Sequence, residues 1–136
     1  MKNLCLTLLV LSFSLSLFAS DDKCKLITND KLCVQITWVD GPYIGAYSKN
    51  IVKFKDLTAS KQTGKDIYRS PSEHVQFFGL MKMATHEHGT REVDTKPLES
   101  GVYENSKIFY MGGMKGTWKF MLKLGASEFL LHTFDI

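Results

Sequence analysis

Along several short stretches of this 136-residue chain, apolar residues recur at every second position, the spacing of strands that turn one face to a core. Residues 32–38, Leu-Cys-Val-Gln-Ile-Thr-Trp, put Val34, Ile36 and Trp38 on one side and Cys33, Gln35 and Thr37 on the other. Gly41-Pro42 stops that run, and residues 43–50 read as a loop or bend. The pattern resumes over 51–57, where Ile51, Val52, Phe54 and Leu57 stand among lysines and an aspartate. Residues 58–72 are polar, contain Gly64 and Pro71, and read as a surface connection. Further strands are predicted over 75–83, over 101–111 and over 117–124, where Trp118, Phe120, Leu122 and Leu124 alternate with Lys119, Met121 and Lys123. Residues 128–134 form a last strand or edge, and no long stretch carries a helical start and stop. Six to seven short strands separated by Gly and Pro turns predict an all-β fold, a β-sandwich with Trp38 and Trp118 as core anchors.

The start of the chain follows a different pattern. Residues 4–19 are apolar apart from scattered Ser and Thr, follow Lys2 and give way to Asp21-Asp22-Lys23. This is the grammar of a signal peptide over 1–19, cut after Ala19 or after Ser20, which leaves one domain over 20–136 exported to the periplasm. An uncleaved anchor is the alternative, but the stretch falls short of the roughly 20 apolar residues of a span and ends in small residues. Lipid attachment at Cys24 is disfavoured by the Asp-Asp-Lys before it. No other segment is long and apolar enough to cross a membrane, so the mature chain is expected to be soluble.

Losing the leader removes Lys2 from 17 basic residues and none of the 14 acidic ones, so the net charge falls by one from +3. The charges are interspersed without a basic stripe, which argues against nucleic acid or acidic membrane as a partner. Cleavage also removes Cys5 and leaves Cys24 and Cys33 in an oxidising compartment. Asn29-Asp30-Lys31 between them suits a turn, so a structural disulfide is favoured. A redox pair or a thiolate metal site is the alternative, without the tight Cys-x-x-Cys spacing.

No Gly-x-Ser-x-Gly elbow, phosphate-binding glycine loop or His-Glu-x-x-His occurs, and His86-Glu87-His88 has a single residue between its histidines. The chain is therefore read as a non-enzyme. What stands out is the crowding of Met81, Met83, His86 and His88, followed by Met111 and Met114. Thioether sulfur suits Cu(I) and imidazole binds copper in both common oxidation states, so such a set in an oxidising compartment points to copper before zinc. Alternation puts Met81 with Met83, and His86 with His88, on common faces of extended segments. The competing reading makes Met81, Met111 and Met121 core fillers and His86 and His88 exposed loop residues. His74 and His132 are assigned no role.

Met83-Ala84-Thr85-His86-Glu87-His88-Gly89-Thr90, then Gly101-Val102-Tyr103, Phe109-Tyr110-Met111 and Met114-Lys115-Gly116-Thr117-Trp118-Lys119-Phe120, resembles the YtkA-like and FixH-like exported domains. Those domains show Met-Pro-x-Met-x-His-Gly-Ser, a Gly-x-Tyr strand and Met-x-Gly-x-Trp. The resemblance spans about the last half of the mature chain. It implies an immunoglobulin-like sandwich in the envelope, linked to copper handling or to assembly of copper-dependent oxidases. Met83, His88, Gly89, Met114, Gly116 and Trp118 match the motifs. His86 replaces a methionine, which shifts preference from Cu(I) toward Cu(II), and Ala84 replaces the proline, which loosens the loop. Gly116 and Trp118 also have a structural reading, a tight turn and a core filler.

Two functions compete. One is a copper-binding envelope protein, a carrier or assembly factor, with Met83, His86, His88, Met81, Met111 and Met114 as ligands. The other is a metal-free module that docks on an envelope protein through a strand edge or through Trp38, Tyr43 and Tyr47.

Overall fold

A computed structural model describes residues 23–113 and 115–135. The expected leader, with Lys2 and Cys5, and the candidate ligand Met114 lie outside the described residues. Nine strands are described: β1 (Leu26–Ile27), β2 (Leu32–Asp40), β3 (Tyr47–Asp56), β4 (Val75–Lys82), β5 (Glu87–Gly89), β6 (Asp94–Glu99), β7 (Val102–Phe109), β8 (Thr117–Leu124) and β9 (Ser127–Asp135). They form two antiparallel sheets, ordered β1-β2-β3-β7-β6 and β5-β4-β8-β9. The expected all-β sandwich is present.

Alternation sets the buried faces. In β8, Trp118, Phe120, Leu122 and Leu124 are buried while the residues between them are half-buried. In β3, Val52 and Phe54 are fully buried and meet Val34 and Ile36 of β2 in the same core. Rings join the sheets: Phe77 lies 5.8 Å from Tyr103, Trp38 5.7 Å from Phe120, and Tyr110 5.1 Å from Trp118. Each such large side chain contributes about 1.5–3 kcal/mol through removal from water.

Several boundaries differ from the sequence reading. Nine strands replace six to seven because β1 and β5 are too short to show a period and β6, Asp-Thr-Lys-Pro-Leu-Glu, is an edge strand exposed along most of its length. β3 starts at Tyr47, inside the expected loop. Its core-facing Ser48 and Asn50 are polar, so no apolar alternation marks them. The connection expected over 58–72 opens with a helix, α1 (Leu57–Thr63). Asp56 caps it, accepting from the Ala59 amide at 2.9 Å, and Gly64 ends it in the left-handed region. None of its residues is buried, so no apolar stripe marked it. Cys33 and Gln35, on the side of β2 opposite Val34 and Ile36, are buried as well, whereas Trp38 is half-buried and a weaker anchor than Trp118.

Cys24 and Cys33 are joined in a disulfide, with Cα atoms 5.1 Å apart. The turn between them closes through Lys31 N–H donating to the Thr28 carbonyl and Thr28 N–H donating to the Leu32 carbonyl, both at 2.9 Å. β1 then lies against β2 with Ile27 opposite Cys33. Among the described residues no helix is long and apolar enough to cross a membrane.

Candidate functional site

The Met/His segment folds as a hairpin. β4 and β5 pair antiparallel with Met81 opposite His88 and Lys82 opposite Glu87. The Met83 N–H donates to the His86 carbonyl at 2.9 Å, so Met83 and His86 form the next facing pair around a two-residue turn, Ala84-Thr85. Facing residues of an antiparallel pair project to the same side, with Cβ atoms about 4.5–5.5 Å apart. Met81, Met83, His86 and His88 therefore share one side of the hairpin. That side is the core side, since Met81 is only 4% exposed.

β5 is an edge strand, so the hairpin overhangs the core and its histidines stay accessible. The two imidazole rings meet edge to face with centroids 4.5 Å apart. His86 Nδ1 lies 2.8 Å from Thr85 Oγ1, which leaves Nε2 as the nitrogen free to reach an ion. An open cleft of about 430 Å³ runs between the hairpin and the end of β7, lined by Met81, His88, Gly89, Thr90, Arg91, Phe109 and Met111. Three of the expected ligands, Met81, His88 and Met111, thus line one cleft. Met83 is half-buried beside it, in a narrow crevice shared with Met81, Gly116 and Trp118, and Met114 is not described.

Two glycines hold this end together by admitting neighbours that a side chain would displace. A Cβ on Gly79 would lie 2.5 Å from Thr90 Cγ2 and 3.0 Å from Tyr110 Cε1. In its absence Thr90 folds in, its Oγ1 accepting from Gly79 N–H at 3.1 Å and its N–H donating to the Gly79 carbonyl at 2.9 Å. A Cβ on Gly116 would collide with the Lys82 carbonyl. Close approach, rather than the expected tight turn, is the reason for glycine there.

Behind the cleft, Trp118 stands across from Met81 in the β4–β8 register, which makes a row of His88, Met81, Trp118 and Phe134 across the sheet. Tyr110 packs against both Trp118 and Phe134 and donates its hydroxyl to the Lys119 carbonyl at 3.0 Å. Burial pushes the Tyr110 phenol well above its ordinary value. Met81 is accordingly both a core residue and a cleft residue. Met111, expected as a core filler in the competing reading, is 53% exposed instead. Met121 is half-buried, opposite Phe78 and Leu130 and out of register with the inward-facing residues of β8.

Arg91, which the sequence reading did not single out, and Phe109, named there only within a motif, are cleft residues. The guanidinium carbon lies 5.9 Å from the Phe109 ring centroid, and that ring lies 5.6 Å from the ring of Tyr47. Their proximity is long-range, so nothing local announced it. Among the described residues no group of three or more His, Cys, Asp or Glu is placed to hold a metal, so an ion in this cleft would draw on thioether sulfur.

Fold and site together define an all-β sandwich with a methionine- and histidine-lined cleft at one end. No protein-family profile, curated protein or solved structure matches the chain.

Proposed function

We propose that this chain is an exported periplasmic protein of the YtkA-like and FixH-like kind that binds copper in the hairpin cleft and serves as a carrier or as an assembly factor for another envelope protein. The observation that carries the reading is the shared face of Met81, Met83, His86 and His88, with Met111 lining the same cleft from the far side. Thioether and imidazole donors are the set that copper favours over magnesium or calcium. Access from solvent on one side and a packed sheet on the other suit reversible loading.

Titration of the mature domain with Cu(I) and with Cu(II) tests the reading. A stoichiometric complex is expected, weakened at least tenfold in a His86→Ala, His88→Ala variant, in line with the cost of losing metal-site partners. Binding no tighter than that of a control protein would sink it.

A second reading, a metal-free docking module, draws on the exposed Tyr43, Ile44, Tyr47 and Met111 at the same end of the sandwich. Trp38 leaves that surface because it packs on Phe120 and His132. Recovery of the same envelope partner with and without chelator would favour this reading over copper.

A further inference from the structure

We infer that Arg91 makes the cleft selective for a soft monovalent cation, Cu(I) or Ag(I), over divalent Cu(II) or Zn(II). The inference rests on the copper reading and adds to it the oxidation state and the residue that imposes it.

The donors of the cleft, the thioethers of Met81 and Met111 and the imidazole of His88, are neutral when they bind metal. No carboxylate lines the cleft among its described residues. Glu87, opposite Lys82 in the register, is out of step with His86 and His88 and so projects to the other side of the hairpin. Among the described lining residues the charged group is the Arg91 guanidinium. It lies over the Phe109 ring, 5.9 Å from the ring centroid. A fixed positive charge repels an ion in proportion to that ion's charge, so a divalent ion suffers twice the penalty of a monovalent one at the same position. Divalent ions ordinarily recover such a cost from carboxylate or thiolate ligands, and this wall supplies neither. The soft thioethers add their own preference in the same direction. His86 in place of a motif methionine pulls toward Cu(II), but its ring stands beyond His88 and outside the cleft lining.

Ag(I) and Zn(II) form a redox-inert pair of probes, and Cu(I) held reduced and Cu(II) a second pair. Affinities for all four are measured by chelator competition on the mature chain, on Arg91→Gln and on Arg91→Lys, with circular dichroism to verify folding. The wild type is expected to bind each monovalent ion more tightly than its divalent counterpart. In Arg91→Gln the divalent ions should gain about tenfold relative to the monovalent ones, and Arg91→Lys should keep most of the wild-type ratio. Equal or tighter divalent binding by the wild type, or an unchanged ratio in Arg91→Gln, overturns this inference and leaves the copper reading standing. Failure of all four ions to bind the wild type removes the copper reading and this inference together.

Discussion

At the disulfide end of the sandwich, Leu32, Val34, Phe54, Phe77, Leu122 and Leu124 meet across the two sheets, and none is more than 4% exposed. At the hairpin end the inward positions are occupied by Ser48, Asn50, Asn105, Met81, Tyr110 and Trp118, a mixture of polar and adaptable side chains. Asn105 Nδ2 donates to Asn50 Oδ1 at 3.0 Å, and Thr95 Oγ1 donates to Asn105 Oδ1 at 2.7 Å. Among the described residues, the indole N–H groups of Trp38 and Trp118 and the Nδ2 amino group of Asn50 are buried there without a hydrogen-bond partner. Such groups cost free energy where an aliphatic core would not. One end thus supplies cohesion, while the other tolerates polar and exposed donors around an open cleft. A cohesive apolar core and an open cleft are separated along a single pair of sheets.

This separation yields a graded set of expectations. Phe54→Ala, at a fully buried site, should lower the unfolding free energy by about 3–5 kcal/mol in denaturant titrations. A loss below about 1 kcal/mol would show that the disulfide end is not the cohesive one. Replacing both Cys24 and Cys33 by alanine should cost about 2–3 kcal/mol, by releasing the short loop that the disulfide closes. Wild-type protein in reductant should lose a similar amount.

Tyr110→Phe should cost about 1 kcal/mol at neutral pH, the worth of the hydroxyl bond to the Lys119 carbonyl. The same variant has a pH signature. Burial raises the phenol of the folded state above its value of 10.0 in the unfolded chain, so the folded protein keeps the proton longer. That stabilisation is complete below pH 10 or so and is lost as pH rises beyond it. Thermal melts of the wild type should therefore fall off on the alkaline side, and this part of the decline should vanish in Tyr110→Phe. The smallest effect is expected from His86→Ala with His88→Ala. Both rings are exposed, so unfolding should shift by no more than about 0.5 kcal/mol. A large destabilisation would mean that the histidines brace the hairpin, and the division between the two ends would blur.

The strands that alternation revealed are those with apolar side chains on the inward face: β2, the second half of β3, β4, β7 and β8. Those it missed lack that contrast. β6 carries Pro97 and charged residues at an edge, and the first half of β3 turns Ser48 and Asn50 inward, where Asn105 rather than an apolar neighbour receives Asn50. The candidate site divides in the same way. Met81, Met83, His86 and His88 were legible because they are close in the chain and alternate in two pairs, and the two-residue turn between the pairs brings both to one side. Met111 was named as a ligand by its residue type and Phe109 only as part of a motif, while Arg91 was not noticed, since their part in the cleft depends on how β7 meets the hairpin.

The all-β class, the pairing of two cysteines and the crowding of methionine and histidine around the hairpin are properties of local pattern, and the sequence by itself determined them. Period-two burial, a turn between two cysteines and the run of Met81, Met83, His86 and His88 are all settled within about ten residues. Only the tertiary structure decided that Met81 faces His88, that Met111 crosses to the same cleft, and that a guanidinium stands in its wall. Sheet register and the meeting of two sheets are long-range events. The residues they unite lie as far apart as Met81 and Met111, and no pattern within a strand encodes that distance.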